Sequence, residues 1–255
     1  MTKIDLNRVW DDAKAMGATN KDIIGAIAGM FVLLPFVVAL QLLKSPDTKL
    51  DPSAGPDAVS AWYRAFMALN WHLFIGWTLL CSFAVLAMLV LLLRQERPTV
   101  AESLKTAIMV LPSFCIAYFI QNLALEAGMF LLIVPACYLA GRFALIAPVA
   151  AAEQEYNPLV LVRRSFDLTR GNGWRIFLVL AILFCTTLIV VMVLSTLAGL
   201  LAALFLPQDV AALCVGIVTG AVIAGFETFF ALLSAAIYRA ATPPEPTPWL
   251  TGIGR

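Results

Sequence analysis

The chain has 255 residues, 62% of them hydrophobic and only 13% charged, with a mean hydropathy of +0.91. A soluble domain carries about 25% charged residues and cannot hide this much apolar surface, so a soluble globular class is excluded. The formal net charge of +1 argues against nucleic acid as a partner, because phosphate backbones are met by strongly basic faces.

The first 20 residues are polar and charged and hold no short apolar core with a small-residue cleavage site. No removable signal peptide is expected there, and the first hydrophobic run is read as a retained anchor. Leu6, Val9, Trp10, Ala13 and Met16 share one helical face, which predicts an amphipathic helix over residues 5–16. Apolar runs of about 20 residues then reach the length a helix needs to cross the hydrocarbon layer. Six spans are expected, at residues 23–43, 71–93, 106–125, 127–150, 176–205 and 210–238. The fold class is therefore an all-α integral membrane protein, with residues 1–241 as a single polytopic domain. Residues 44–60 form a loop rich in Pro, Asp and Ser, whereas "NLALEAG" and "LPQD" read as tight turns. The Pro-rich residues 242–255 form a short extended tail. Pro35, Pro112 and Pro135 lie inside spans and should kink them or mark packing sites.

With the amino terminus in the cytoplasm, the 17 Lys and Arg residues divide very unequally. Only Lys44, Lys49 and Arg64 fall outside and Arg142 within a span, while the rest, including Lys3, Arg97 and Arg255, fall on the cytoplasmic side. This bias predicts that both termini face the cytoplasm of a bacterial cell.

The stretch "EYNPLVLVRRSFDLTRGNGWR", residues 155–175, separates two long apolar runs. Asn157 suits a helix cap and Pro158 the first helical position, while Gly171-Asn172-Gly173 supplies a stop. On a helical wheel, Arg163, Arg164, Asp167 and Arg170 fall within one arc and Leu159, Leu161, Val162, Phe166 and Leu168 cover the rest. Residues 158–170 are expected to lie as an amphipathic helix on the cytoplasmic face, their arginines meeting anionic phospholipid headgroups. Trp174 and Arg175 mark the interface where the fifth span begins. A shorter helix of this kind is expected in "TVAESLKTAIMV", and "QERP" at 95–98 matches the place of "QEYNP" at 154–158. A surface helix before each odd-numbered span hints at three helical hairpins built to one plan.

Arg142, Pro148, Glu153, the Arg164-Ser165 pair, Leu168, Gly171 and Trp174 stand in an order that resembles a bacterial membrane-domain family. It comprises the YciC-like proteins and the membrane domain fused to some glycerophosphoryl diester phosphodiesterases. The resemblance covers roughly residues 95–240 and departs at Leu161, where the family pattern has a small residue. It implies a polytopic membrane domain without phosphodiesterase activity. The fused enzyme's catalytic part is a separate soluble barrel, and such barrels need about 200 residues or more. This sequence has one His and no soluble segment of that length.

Arg142 and Glu227 are the formal charges deepest in the spans, each costing about 2.5–3.5 kcal/mol at a helix centre. Counted from their cytoplasmic ends they sit at similar depth, about 16–18 Å at the helical rise. They are read either as a buried ion pair that fixes packing or as a site where Arg142 holds a lipid phosphate or anionic solute. His72, between Trp71 and Trp77, reads as an aromatic-belt neighbour. Glu153 and Glu155 read as solvated or paired with Arg163 or Arg164. The five cysteines lie in apolar runs as small hydrophobes. No catalytic residue, metal site or cofactor is expected. The composite reading is a non-catalytic inner-membrane protein that binds or organises lipids or partner membrane proteins. Its rival is a small carrier or channel for a lipid or anionic solute, lined by Arg142 and Glu227.

Overall fold

A computed structural model describes residues 4–47, 53, 55–94, 98–131 and 133–242. Lys3, Lys49, Arg97, Arg255, the first three residues of "QERP" and the tail beyond Thr242 lie outside the described residues. Among the described residues the structure is helical, with no strand. In hydrocarbon no water is present to pair backbone groups, and a helix satisfies its own. The elements are α1 (Leu6–Ala28), a π-helical turn (Gly29–Leu33), α2 (Leu34–Leu42), α3 (Pro56–Leu93), α4 (Val100–Leu131), α5 (Ile133–Phe143), α6 (Ile146–Glu153), α7 (Pro158–Leu168), α8 (Gly173–Phe205) and α9 (Gln208–Ala241). They make six membrane-length apolar spans among the described residues, with α1 and α2 forming the first and α5 and α6 the fourth. The protein is a six-span membrane protein.

Local chemistry accounts for the places where these helices depart from the expected boundaries. Residues 5–16 are not a separate element but the first turns of α1, which continues unbroken to Ala28. Of the expected apolar face, Val9, Ala13 and Met16 are buried while Leu6 and Trp10 stay exposed. Spacing of four and then three residues puts the buried trio on one side of the helix. The π-helical turn precedes Pro35, near the start of α2. A proline ring clashes with the carbonyl four residues back, here Phe31, and a widened turn relieves it. The expected turn at "NLALEAG" is instead helical, as α4 runs through it to Leu131. Gly128 there serves packing, since a Cβ on it would lie 3.1 Å from the Ala136 Cα. α3 starts at Pro56 rather than near Trp71, and its 38 residues make it about 57 Å long, well beyond the hydrocarbon thickness.

The chain divides into two compact units. Unit 1 holds residues 1–20, 89–181 and 230–255, and unit 2 holds residues 21–88 and 182–229. In unit 1, α4 packs on α5, α6 and α7, and α7 also packs on α5 and α6. The inner face of α4 is Ser103, Ala107, Val110, Phe114 and Ala117, a four-three spacing of mostly small buried residues. Small residues let membrane helices approach closely, because lipid offers no hydrophobic drive to hold them together. In unit 2, Gly216 and Gly220 of α9 let it lie against Leu40 and Phe36 of α2. Buried Asn70 closes the end of α2: its side chain accepts from the Lys44 amide at 2.9 Å and donates to the Lys44 carbonyl at 2.8 Å.

Candidate functional site

The fourth span breaks between Phe143 and Ile146. Pro148 supplies the cause: it lacks the N–H that would bond the Ala144 carbonyl, and its ring excludes that carbonyl from the helix. The break therefore lies just beyond Arg142, and the strongest proline effect in this span comes from Pro148 rather than Pro135. It leaves the Arg142 carbonyl and the Leu145 amide to find partners outside their own helix.

Ser165 of α7 serves both. Its hydroxyl donates to the Arg142 carbonyl at 2.7 Å and accepts from the Leu145 amide at 3.3 Å. Thr169, one turn further on, donates its hydroxyl to the Ser165 carbonyl at 2.7 Å and lies 3.3 Å from the Arg142 carbonyl. Ser165 and Thr169 are both fully buried. Asn157 caps α7 by accepting from the Leu159 amide at 3.0 Å, and Leu161 is fully buried. The departure at Leu161 thus fills space in the core of unit 1.

The Arg142 guanidinium sits over aromatic rings of its own unit, 4.9 Å from the centre of Phe166 and 5.8 Å from that of Tyr138. A cation over a ring face is attracted by the ring quadrupole, which partly offsets its desolvation. Gly141 and Gly173 make this closeness feasible. A Cβ on Gly141 would collide with the Gly173 carbonyl, and one on Gly173 would meet Arg142 Cδ and Tyr138 Cε2 at 3.0 Å.

Beyond α7 the chain reverses at Gly171, which has a positive φ of 80° that favours glycine. Asn172 accepts from the Ile4 amide at 3.2 Å, and Arg175 donates to the Ile4 carbonyl at 3.2 Å. Trp174 stands 5.8 Å from the Tyr138 ring. Glu153, at the end of α6, pairs with Arg164 at 2.9 Å and accepts from the Tyr238 hydroxyl at 3.0 Å. Its hydrogen bond raises the Arg164 pKa above the usual guanidinium range. Among the described residues Glu155 makes no such pair and instead accepts from the Asn157 amide at 2.8 Å, just ahead of α7.

The structure thus brings Arg142, Pro148, Glu153, Arg164, Ser165, Gly171 and Trp174 into one neighbourhood of unit 1, with Leu168 closing α7. Arg163 and Arg170 are exposed and make no ion pair among the described residues. Beside them Leu159 and Val160 are exposed to 66% and 41%, and Tyr156 and Trp174 are exposed as well. Glu227 belongs to unit 2, where it is partly buried within electrostatic reach of the Cys81 thiol. In the same unit the buried Trp77 Nε1 has no partner among the described residues, and His72 lies exposed beside Trp71.

Sequence reasoning missed the roles of Thr169, Tyr138 and Tyr238, and it read Asn172 only as part of a helix stop, not as the acceptor for Ile4. Thr169 follows Ser165 by one helical turn, a spacing that could have marked a hydroxyl pair. No local signal announces Tyr238, which lies 85 residues from Glu153.

Residues 98–240 match the family model for the membrane domain of glycerophosphoryl diester phosphodiesterase, a match confined to that enzyme's membrane domain. Comparison with curated proteins and with solved structures returns no match.

Proposed function

This chain belongs to the family of the membrane domain of glycerophosphoryl diester phosphodiesterase, and on that premise we propose a non-catalytic protein of the bacterial cytoplasmic membrane, termini inward, that binds and organises anionic lipids. The working element is α7, lying along the headgroups. One observation carries this reading: on and just beyond α7, exposed Arg163 and Arg170 stand near exposed Leu159, Val160 and Trp174. Apolar side chains enter the acyl boundary while each basic residue adds about 1 kcal/mol of attraction to an anionic surface. Arg164 contributes less, being held by Glu153. The buried ties of Ser165 fix α7 to the fourth span and so present this surface on a rigid base.

The spans favour this reading over a carrier or channel. Thr187, Ser195 and Thr228 donate their hydroxyls to carbonyls of their own helices four residues back, which draws them away from a polar path.

The test is the lipid that leaves the membrane with the protein on gentle polymer extraction. The unaltered chain should carry an excess of anionic phospholipid, and Arg163→Gln/Arg170→Gln should cut that excess by about thirtyfold at most, the worth of two headgroup contacts. An unchanged lipid profile in the double variant would contradict the proposal.

A further inference from the structure

Arg142 brings the N–H donors of a guanidinium to the end of α5. Among the described residues none of them meets a hydrogen-bond acceptor, and Arg142 forms no ion pair. The ring faces of Phe166 and Tyr138 attract its charge, but a ring face supplies no oxygen to an N–H. Nor are the donors sealed in. Among the described residues the one buried side-chain nitrogen or oxygen without a partner is Trp77 Nε1, so the nitrogens of half-buried Arg142 reach the surface. The carboxylates of this neighbourhood act on Arg164 instead: Glu153 is paired with it, and Asp167 lies within its electrostatic reach. Arg142 is a cation with its donors open to an anion.

What leads away from Arg142 selects between a free anion and a lipid. α5 arrives at this level and α8 departs from it, and the two approach closely at Gly141 and Gly173. Beside that contact Tyr138 and Trp174 are exposed to 38% and 45%, their rings 5.8 Å apart. One helical turn further into the span, Val134 on α5 and Leu178 on α8 are exposed to 61% and 55%. Spacing of four keeps each pair on one side of its helix. From Arg142 to Val134 the helical rise covers about 12 Å, most of the hydrocarbon depth of one leaflet. A cation at the head of an apolar seam has the polarity of a phospholipid.

We propose that the seam between α5 and the start of α8 binds one phospholipid, with its phosphodiester on the Arg142 guanidinium and an acyl chain along Tyr138 and Val134. A phosphodiester brings a single negative charge and two oxygens that match the planar fork of arginine. This deepens the lipid-binding reading but rests on Arg142 and not on Arg163 or Arg170.

The experiment is equilibrium binding of radiolabelled phosphatidylglycerol to the delipidated full chain in dodecyl maltoside micelles, with unlabelled competitors. The unaltered chain should show a saturable site for one lipid. Diacylglycerol with the same acyl chains, which lacks the phosphate, should compete about tenfold more weakly, the worth of one hydrogen bond to a charged group. Arg142→Gln should weaken binding by a similar factor, and Arg142→Lys, which keeps the charge but not the fork, should fall between. Equal competition by diacylglycerol, a comparison that needs no variant, would overturn the site, as would unchanged binding in Arg142→Gln. Dimethyl phosphate competing as well as phosphatidylglycerol would overturn the lipid as the source of the anion. If Arg163→Gln/Arg170→Gln keeps its lipid profile while Arg142→Gln loses the single site, the α7 reading fails and the seam stands; the reverse pattern sinks the seam alone.

Discussion

Ser165 pairs two backbone groups that an unbroken helix would have paired within itself. Its hydroxyl carries both the Arg142 carbonyl and the Leu145 amide, and it is wholly buried. Removing it strands the amide outright and leaves the carbonyl only the longer contact with Thr169. A buried unpaired polar group costs about 1–3 kcal/mol, so Ser165→Ala should lose about 2 kcal/mol against unfolding in detergent micelles. A loss within about 0.5 kcal/mol, the range of ordinary surface changes, would contradict this role. The serine was legible as part of the Arg164-Ser165 pair, but its task was not. That task depends on a break made by Pro148 and read by a residue seventeen positions later, and no local pattern joins the two. Arg142 stood out for its charge in an apolar run, yet the rings that receive it, Tyr138 and Phe166, come from two different helices.

The helices themselves were largely written in the chain, because apolar length and charge-free composition decide which segments can cross a membrane. Their ends were less so. α4 passes through "NLALEAG" because nothing there breaks a helix, and Gly128 is used against Ala136 instead. Residues 5–16 showed a true apolar face, but a wheel cannot say whether lipid or protein covers it, and Val9, Ala13 and Met16 turn out to be packed within unit 1. α7 was the clearest local prediction, with cap, first-position proline and glycine stop all in place. Its cap gives an element-scale test: Asn157→Ala should cost about 1 kcal/mol and speed amide exchange in the first turn of α7. Unaltered exchange there would show that tertiary packing alone holds the helix start.

At the scale of the whole molecule, the proposed topology puts both termini in the cytoplasm, on the side where most of the basic residues fall. A reporter that fluoresces only in the cytoplasm, fused after Arg255, should be bright, whereas the same reporter inserted after Ser53 should be dark. The opposite pattern would put the arginines of α7 on the outer face and remove the argument for cytoplasmic headgroups.

The most direct measurement of the central claim is hydrogen–deuterium exchange of the full chain in nanodiscs of phosphatidylcholine, with and without phosphatidylglycerol. If α7 lies along anionic headgroups, amides from 159 to 170 slow when phosphatidylglycerol is present, high salt reverses much of the effect, and the buried stretch of α9 from Ala231 to Ile237 stays unchanged. If α7 exchanges at the same rate in both discs, the surface that carries the proposed function does not meet the lipid.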